Sequence, residues 1–107
     1  MNRGDIVSIV LPKAYGKPRP ALVIQSDLFK MHPSLTVLPI TSDLRETPLF
    51  RLRVHPSSLN GLESISEIMV DKIMTTPREK AKKVFGRLEE GYLKEVERLL
   101  ALWLGIV

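Results

Sequence analysis

The 107-residue chain contains no cysteine. This excludes a disulfide framework, a thiolate nucleophile and any cysteine-held zinc or iron–sulfur site. Histidine is nearly absent: His32 and His55 are too few and too far apart in sequence for a histidine metal cluster, and each precedes a proline in a loop. Six aromatic residues are too sparse for a base-stacking platform. No apolar run approaches the roughly 20 residues that span a bilayer. The opening Met1-Asn2-Arg3-Gly4-Asp5 has no apolar segment behind it, so the expected compartment is the cytoplasm. No phosphate-cradling glycine loop, zincin motif or nucleophile elbow is present. What is there is ordinary globular composition, 44% hydrophobic and 26% charged, which disfavours disorder. At 12.1 kDa the chain makes one domain, residues 1–107. Sixteen basic against twelve acidic residues give a net charge of +4, which permits a polyanionic partner without demanding one.

Asp5-Ile6-Val7-Ser8-Ile9-Val10-Leu11 alternates as a strand does. Residues 13–20 hold Pro18, Pro20 and Gly16 just after Pro12, and are expected to form a loop. Ala21-Leu22-Val23-Ile24 is a short continuous apolar run, the pattern of a central strand buried on both faces. Ser34–Ile40 is a third strand, with Pro39 implying an edge or bulge near its end. Arg51-Leu52-Arg53-Val54 alternates with both arginines on one face, and Asn60-Gly61 marks a turn. Glu67–Met74 is expected as a fifth strand and Lys83–Gly86 as a last one. From Glu89 the spacing turns helical, with Leu93, Val96, Leu99, Leu100 and Trp103 on one face and Gly105 as the stop. The expected fold is mostly β, a small SH3-like antiparallel barrel or sheet with one C-terminal helix.

Polar groups gather where these strands end. Arg19 is wedged between prolines that fix its backbone, immediately before the apolar run. Thr41 and Ser42 follow Ile40 directly, and Asp71 ends an apolar stretch beside Lys72. An arginine, a hydroxyl pair and a carboxylate at strand ends could converge on a phosphate. A surface arginine and an ordinary turn would have the same spacing. Arg78, Lys80, Lys82 and Lys83 form a basic cluster that suits either an RNA backbone or a solvated face.

Arg3–Val7, Gly16–Asp27, Leu38–Ser42 and Met69–Ile73, in this order and spacing, resemble the PemK/MazF family of toxins over nearly the whole chain. The resemblance implies a CcdB/MazF-like barrel, usually a homodimer, that acts as a toxin of a type II toxin–antitoxin system. It implies a sequence-specific, metal-independent endoribonuclease that cuts single-stranded mRNA, and a cognate antitoxin whose tail blocks the RNA groove. DNA would be met only through the antitoxin complex, and no cofactor or membrane is implied. Carried over, Arg19 matches the arginine of the family's Arg-Pro motif, Thr41 its threonine after the third strand, and Asp71 an acidic position that is a base in some relatives. Ser42, Tyr15, Lys17 and Lys72 are the accompanying candidates for substrate contact. Where some relatives have an arginine two residues before the acid, this chain has Met69, and the general base stays open. A second resemblance is to the CcdB family on the same fold, through Met74-Thr75-Thr76 and Trp103-Leu104-Gly105-Ile106. It implies a non-enzymatic gyrase inhibitor. The Arg19-Pro20 pair belongs to the RNA-cleaving branch, and Trp103 already fits the buried helical stripe.

Overall fold

A computed structural model describes residues 1–10, 17–46 and 50–106. Its seven strands are β1 (Asp5–Val10), β2 (Pro18–Val23), β3 (Ser34–Thr41), β4 (Arg51–Val54), β5 (Ser66–Met69), β6 (Met74–Pro77) and β7 (Ala81–Arg87). One helix, α1 (Glu90–Leu104), follows them. All pairings are antiparallel, and the strands run in the order β4-β5-β3-β2-β1-β7, with β6 also on β3. This is the expected mostly-β sheet with a terminal helix.

Period-two alternation splits the apolar residues between two cores. Ile6, Leu22, Leu38 and Ile40 join Leu93, Val96 and Leu99 under α1, while Val7, Ile9, Ala21, Val23, Leu35 and Val37 form the other core. The run at Ala21–Val23 thus serves both faces, as its lack of polar residues requires. Partly buried Met74 and Ala81, at the starts of β6 and β7, pack on the second core, and every described residue in that core belongs to a strand.

Two local expectations need correcting, and a third is narrowed. Pro18–Pro20 are strand rather than loop, paired with β1 from Val10↔Pro18 to Ser8↔Pro20. Pairing with β3 begins only at Ala21, so the prolines occupy a stretch with one neighbour, where a missing donor is tolerated. Of the edge or bulge expected at Pro39, the edge is excluded, because Pro39 pairs with Ala21 of β2. It falls where the partner of β3 changes from β6 (Ser34–Val37) to β5 (Ile40 and Thr41), so the ladder is already interrupted there. That same change of partner breaks the expected strand over Glu67–Met74 into β5 and β6, joined by a 3-10 turn at Val70–Lys72.

The turn at Asn60-Gly61 is present and acts as a fastener. Asn60 is fully buried. Its Oδ1 accepts from the Ser57 and Leu62 N–H groups, both at 3.0 Å, and its Nδ2 donates to the His55 carbonyl at 3.0 Å and to Glu89 at 3.1 Å. Every hydrogen-bonding site that matters on this amide is satisfied, the condition for burying it cheaply. Gly61 has φ +69°, and a Cβ there would strike the Phe85 carbonyl; a Cβ on Gly86 would strike the Asn60 carbonyl. Two glycines therefore let the 57–62 segment lie directly on β7.

Candidate active site

An open groove of about 980 Å³ crosses the strand ends. Its lining includes Arg19 from β2, Thr41 and Ser42 at the end of β3, Ser8 from β1 and Lys83 from β7. The segment Gly61–Ser64, held on β7 by the Asn60 fastener, forms another wall.

The register explains why Arg19 and Thr41 meet. Ala21↔Pro39, Leu22↔Leu38 and Val23↔Val37 pair in β2 and β3. Two residues further along each strand lie Arg19 and Thr41, with the same parity and hence on the same face. Arg19 is exposed and makes no ion pair with any described residue, so its guanidinium is available to a ligand. Thr41 is half-buried, and its Oγ1 accepts a hydrogen bond from the Asp43 N–H at 3.0 Å. With that lone pair engaged, its hydroxyl proton remains free to be donated. Ser42 is exposed beside it. Lys83 and Arg19 are the cationic lining residues, opposed by Asp43 and Glu63.

The remaining candidates lie elsewhere. Asp71 and Lys72 stand in the 3-10 turn between β5 and β6, 3.9 Å apart as an ion pair, and neither lines the groove. The turn packs against α1, β3 and β4. Lys17 is exposed, just ahead of β2, and is not in the lining; Tyr15 lies outside the described residues. Of the basic cluster only Lys83 reaches the groove. Arg78 instead ties down the segment ahead of β3, donating to the carbonyls of His32 at 2.7 Å and Phe29 at 3.3 Å. His32 and His55 are both exposed and outside the groove.

Sequence reasoning missed the carboxylate behind Thr41. Glu67 pairs with Thr41 across the β3–β5 ladder, and its side chain is only 4% exposed. Oε1 accepts from the Arg45 N–H at 2.8 Å and from Arg51 at 3.1 Å; Oε2 accepts from Arg53 at 3.2 and 2.9 Å. Burial alone would raise the pKa of this carboxyl. The Arg45 N–H and the Arg53 and Arg51 guanidiniums outweigh it and hold the group below the usual carboxylate range. The available signal was the alternation of Arg51 and Arg53, which places two cations on one face and requires a counter-ion.

The description "PemK-like, MazF-like toxin of type II toxin-antitoxin system" matches residues 2–104 of the chain. The chain belongs to that family. It is 42% identical to a probable endoribonuclease MazF of Mycolicibacterium smegmatis, over 99% of this chain and 98% of that one. The Mycobacterium tuberculosis toxin MazF-mt6 superposes with TM-score 0.73 at 26% identity, covering 95% of this chain and 93% of the toxin. An endoribonuclease in complex with its cognate antitoxin, from a mycobacterial species, shares the fold at TM-score 0.84 and 18% identity, over 100% and 97% of the two chains. These matches favour the RNA-cleaving branch over the gyrase-inhibitor alternative. Trp103, on which that alternative partly rested, is not core as expected. It is 44% exposed and stands edge-on to Phe50, with ring centroids 4.8 Å apart and planes at 78°. The buried helical positions end at Leu99, so the apolar stripe outlasts the core it covers.

Proposed function

We propose that this family member is the endoribonuclease toxin of a toxin–antitoxin pair and cleaves single-stranded RNA in the groove at Arg19. The observation that carries the reading is the convergence on one groove of an arginine with no ionic partner among the described residues, a threonine whose oxygen is engaged as an acceptor, and a second hydroxyl. In the reaction, the ribose 2′-oxygen attacks phosphorus as its proton leaves to a base. The bond from phosphorus to the 5′-oxygen breaks, and that oxygen takes up a proton. The products carry a 2′,3′-cyclic phosphate and a 5′-hydroxyl. Arg19 places fixed positive charge on the phosphorane, and Thr41 and Ser42 donate to its non-bridging oxygens. Lys83 steadies a neighbouring phosphate as a point charge. Arginine is a poor acid by its reference pKa, so its part is electrostatic. Asp71 stands outside this groove, and the proton acceptor is left unassigned.

An antitoxin segment would inhibit by lying in the same groove, and a homodimer working in the cytoplasm would be the functional form. The test is incubation with mixed-sequence RNA in EDTA, followed by mapping of the cut ends. Discrete cuts bearing cyclic phosphates are expected. Intact RNA would overturn the reading, and gyrase trapped on DNA by the protein would revive the alternative.

A further inference from the structure

We propose that Glu67 and Arg51 are positioning residues that aim the Thr41 hydroxyl, so that a buried ion pair behind the groove governs the rate of cleavage. This rests on Thr41 donating a hydrogen bond to the scissile phosphate, as argued above. The connection is continuous. Glu67 holds Arg51, whose Nη1 also donates to the Asp43 carbonyl at 3.0 Å. The N–H of Asp43 in turn donates to Thr41 Oγ1. Arg51 is anchored at a third point, its Nη2 reaching the Met69 sulfur at 3.5 Å, and its side chain is 16% exposed. The Arg45 N–H on Glu67 fixes the same loop two residues further on.

The threonine rotor has three staggered wells, and the bond from Asp43 selects among them by occupying one lone pair. That selection is only as firm as the backbone of Asp43. Asp43 is exposed; Arg45 meets its carboxylate at 3.1 Å through an exposed pair, while the more buried guanidinium of Arg51 restrains its backbone carbonyl. A buried charged cluster is weak evidence for stability, since apolar replacements often serve as well. Aiming a hydrogen-bond donor is a role that apolar side chains could not fill.

The experiment measures kcat and KM on a short single-stranded RNA that the protein cleaves, with a thermal melt on each variant. The variants are Thr41→Val, Glu67→Gln, Arg51→Met, and each of the last two combined with Thr41→Val. Glu67→Gln and Arg51→Met should each lower kcat about tenfold or more while KM changes less than about twofold, the signature of misplacement in the transition state. In the Thr41→Val background neither should lower kcat further, because the hydroxyl they position is gone. Wild-type cleavage by Thr41→Val would overturn the site reading itself. An impaired Thr41→Val with unaffected single variants, or with losses that multiply in the doubles, would overturn the positioning role and leave the site standing. Should Glu67→Gln fail to fold, Arg51→Met makes the same test, since Glu67 keeps its bonds to Arg45 and Arg53.

Discussion

Arg19 is one side chain with little to lose structurally and, in the proposed function, much to do chemically. It is exposed, flanked by prolines that fix its backbone, and without a described ionic partner. Arg19→Ala should therefore leave folding unchanged within about 0.5 kcal/mol, the usual range for surface substitutions. Cleavage should fall at least about 100-fold, as when one preorganised donor to a developing oxyanion is removed. Arg19→Lys should also fail substantially, because an ammonium cannot reproduce a planar two-pronged contact. Melting curves and cut-site yields check both. A folded Arg19→Ala variant with wild-type cleavage removes the residue from the site. Gly86 presents the opposite case, with structure at stake and no chemistry. Its missing Cβ is what admits the Asn60 carbonyl. Gly86→Ala should cost about 1–3 kcal/mol, as overpacking does, and depress the melting temperature by about 4–8 °C for each kcal/mol in a chain this small. An unchanged melting temperature would mean that the two segments can part without penalty.

At the scale of elements, β5 joins stability to chemistry through Glu67. Its folded pKa is depressed, so the stability it contributes is complete above the unfolded carboxyl value, about 4.3, and is lost as pH falls through the lower folded value. Denaturant melts of the wild type and Glu67→Gln, compared from pH 7 down to pH 3, isolate this carboxyl from the others. The wild type should hold its advantage at neutral pH and lose it on the acid side of about 4.3. A pH-independent difference would show that the charge of Glu67 is not what matters. This cluster also marks how far the sequence could be read. The alternation in Arg51-Leu52-Arg53-Val54 puts two cations on one face, and both do meet one carboxylate. Their partner was illegible because the β4–β5 pairing, not any local period, brings Glu67 to them. The break at Val70–Lys72 was illegible for a similar reason. From Ile68 to Met74 no glycine or proline interrupts the run, and the bend comes from β3 changing partners. Arg19 and Thr41 were legible because strand ends show in local pattern. The wall at Gly61–Ser64 was not, since it reaches the groove only through contact with β7.

For the whole molecule, the question is what covers the end of α1. The helix buries Leu93, Val96 and Leu99 and then continues with Leu102, Leu104 and Ile106, which are 51%, 47% and 73% exposed. They do not fold back on Val84 and Phe85, an arrangement that would have buried them and left the chain content alone. Single apolar residues on a surface need no explanation, but a cluster at one helix end with Trp103 and Phe50 beside it does. Two-fold pairing would cover it with one self-complementary contact. Light scattering at micromolar concentration should thus give twice the 12.1 kDa chain mass. Leu102→Glu, at a position with no core contact to lose, should halve that value while keeping the melting cooperative. A wild-type mass of one chain, with RNA still cut, would end the argument for a dimer and place a whole active groove within a single chain.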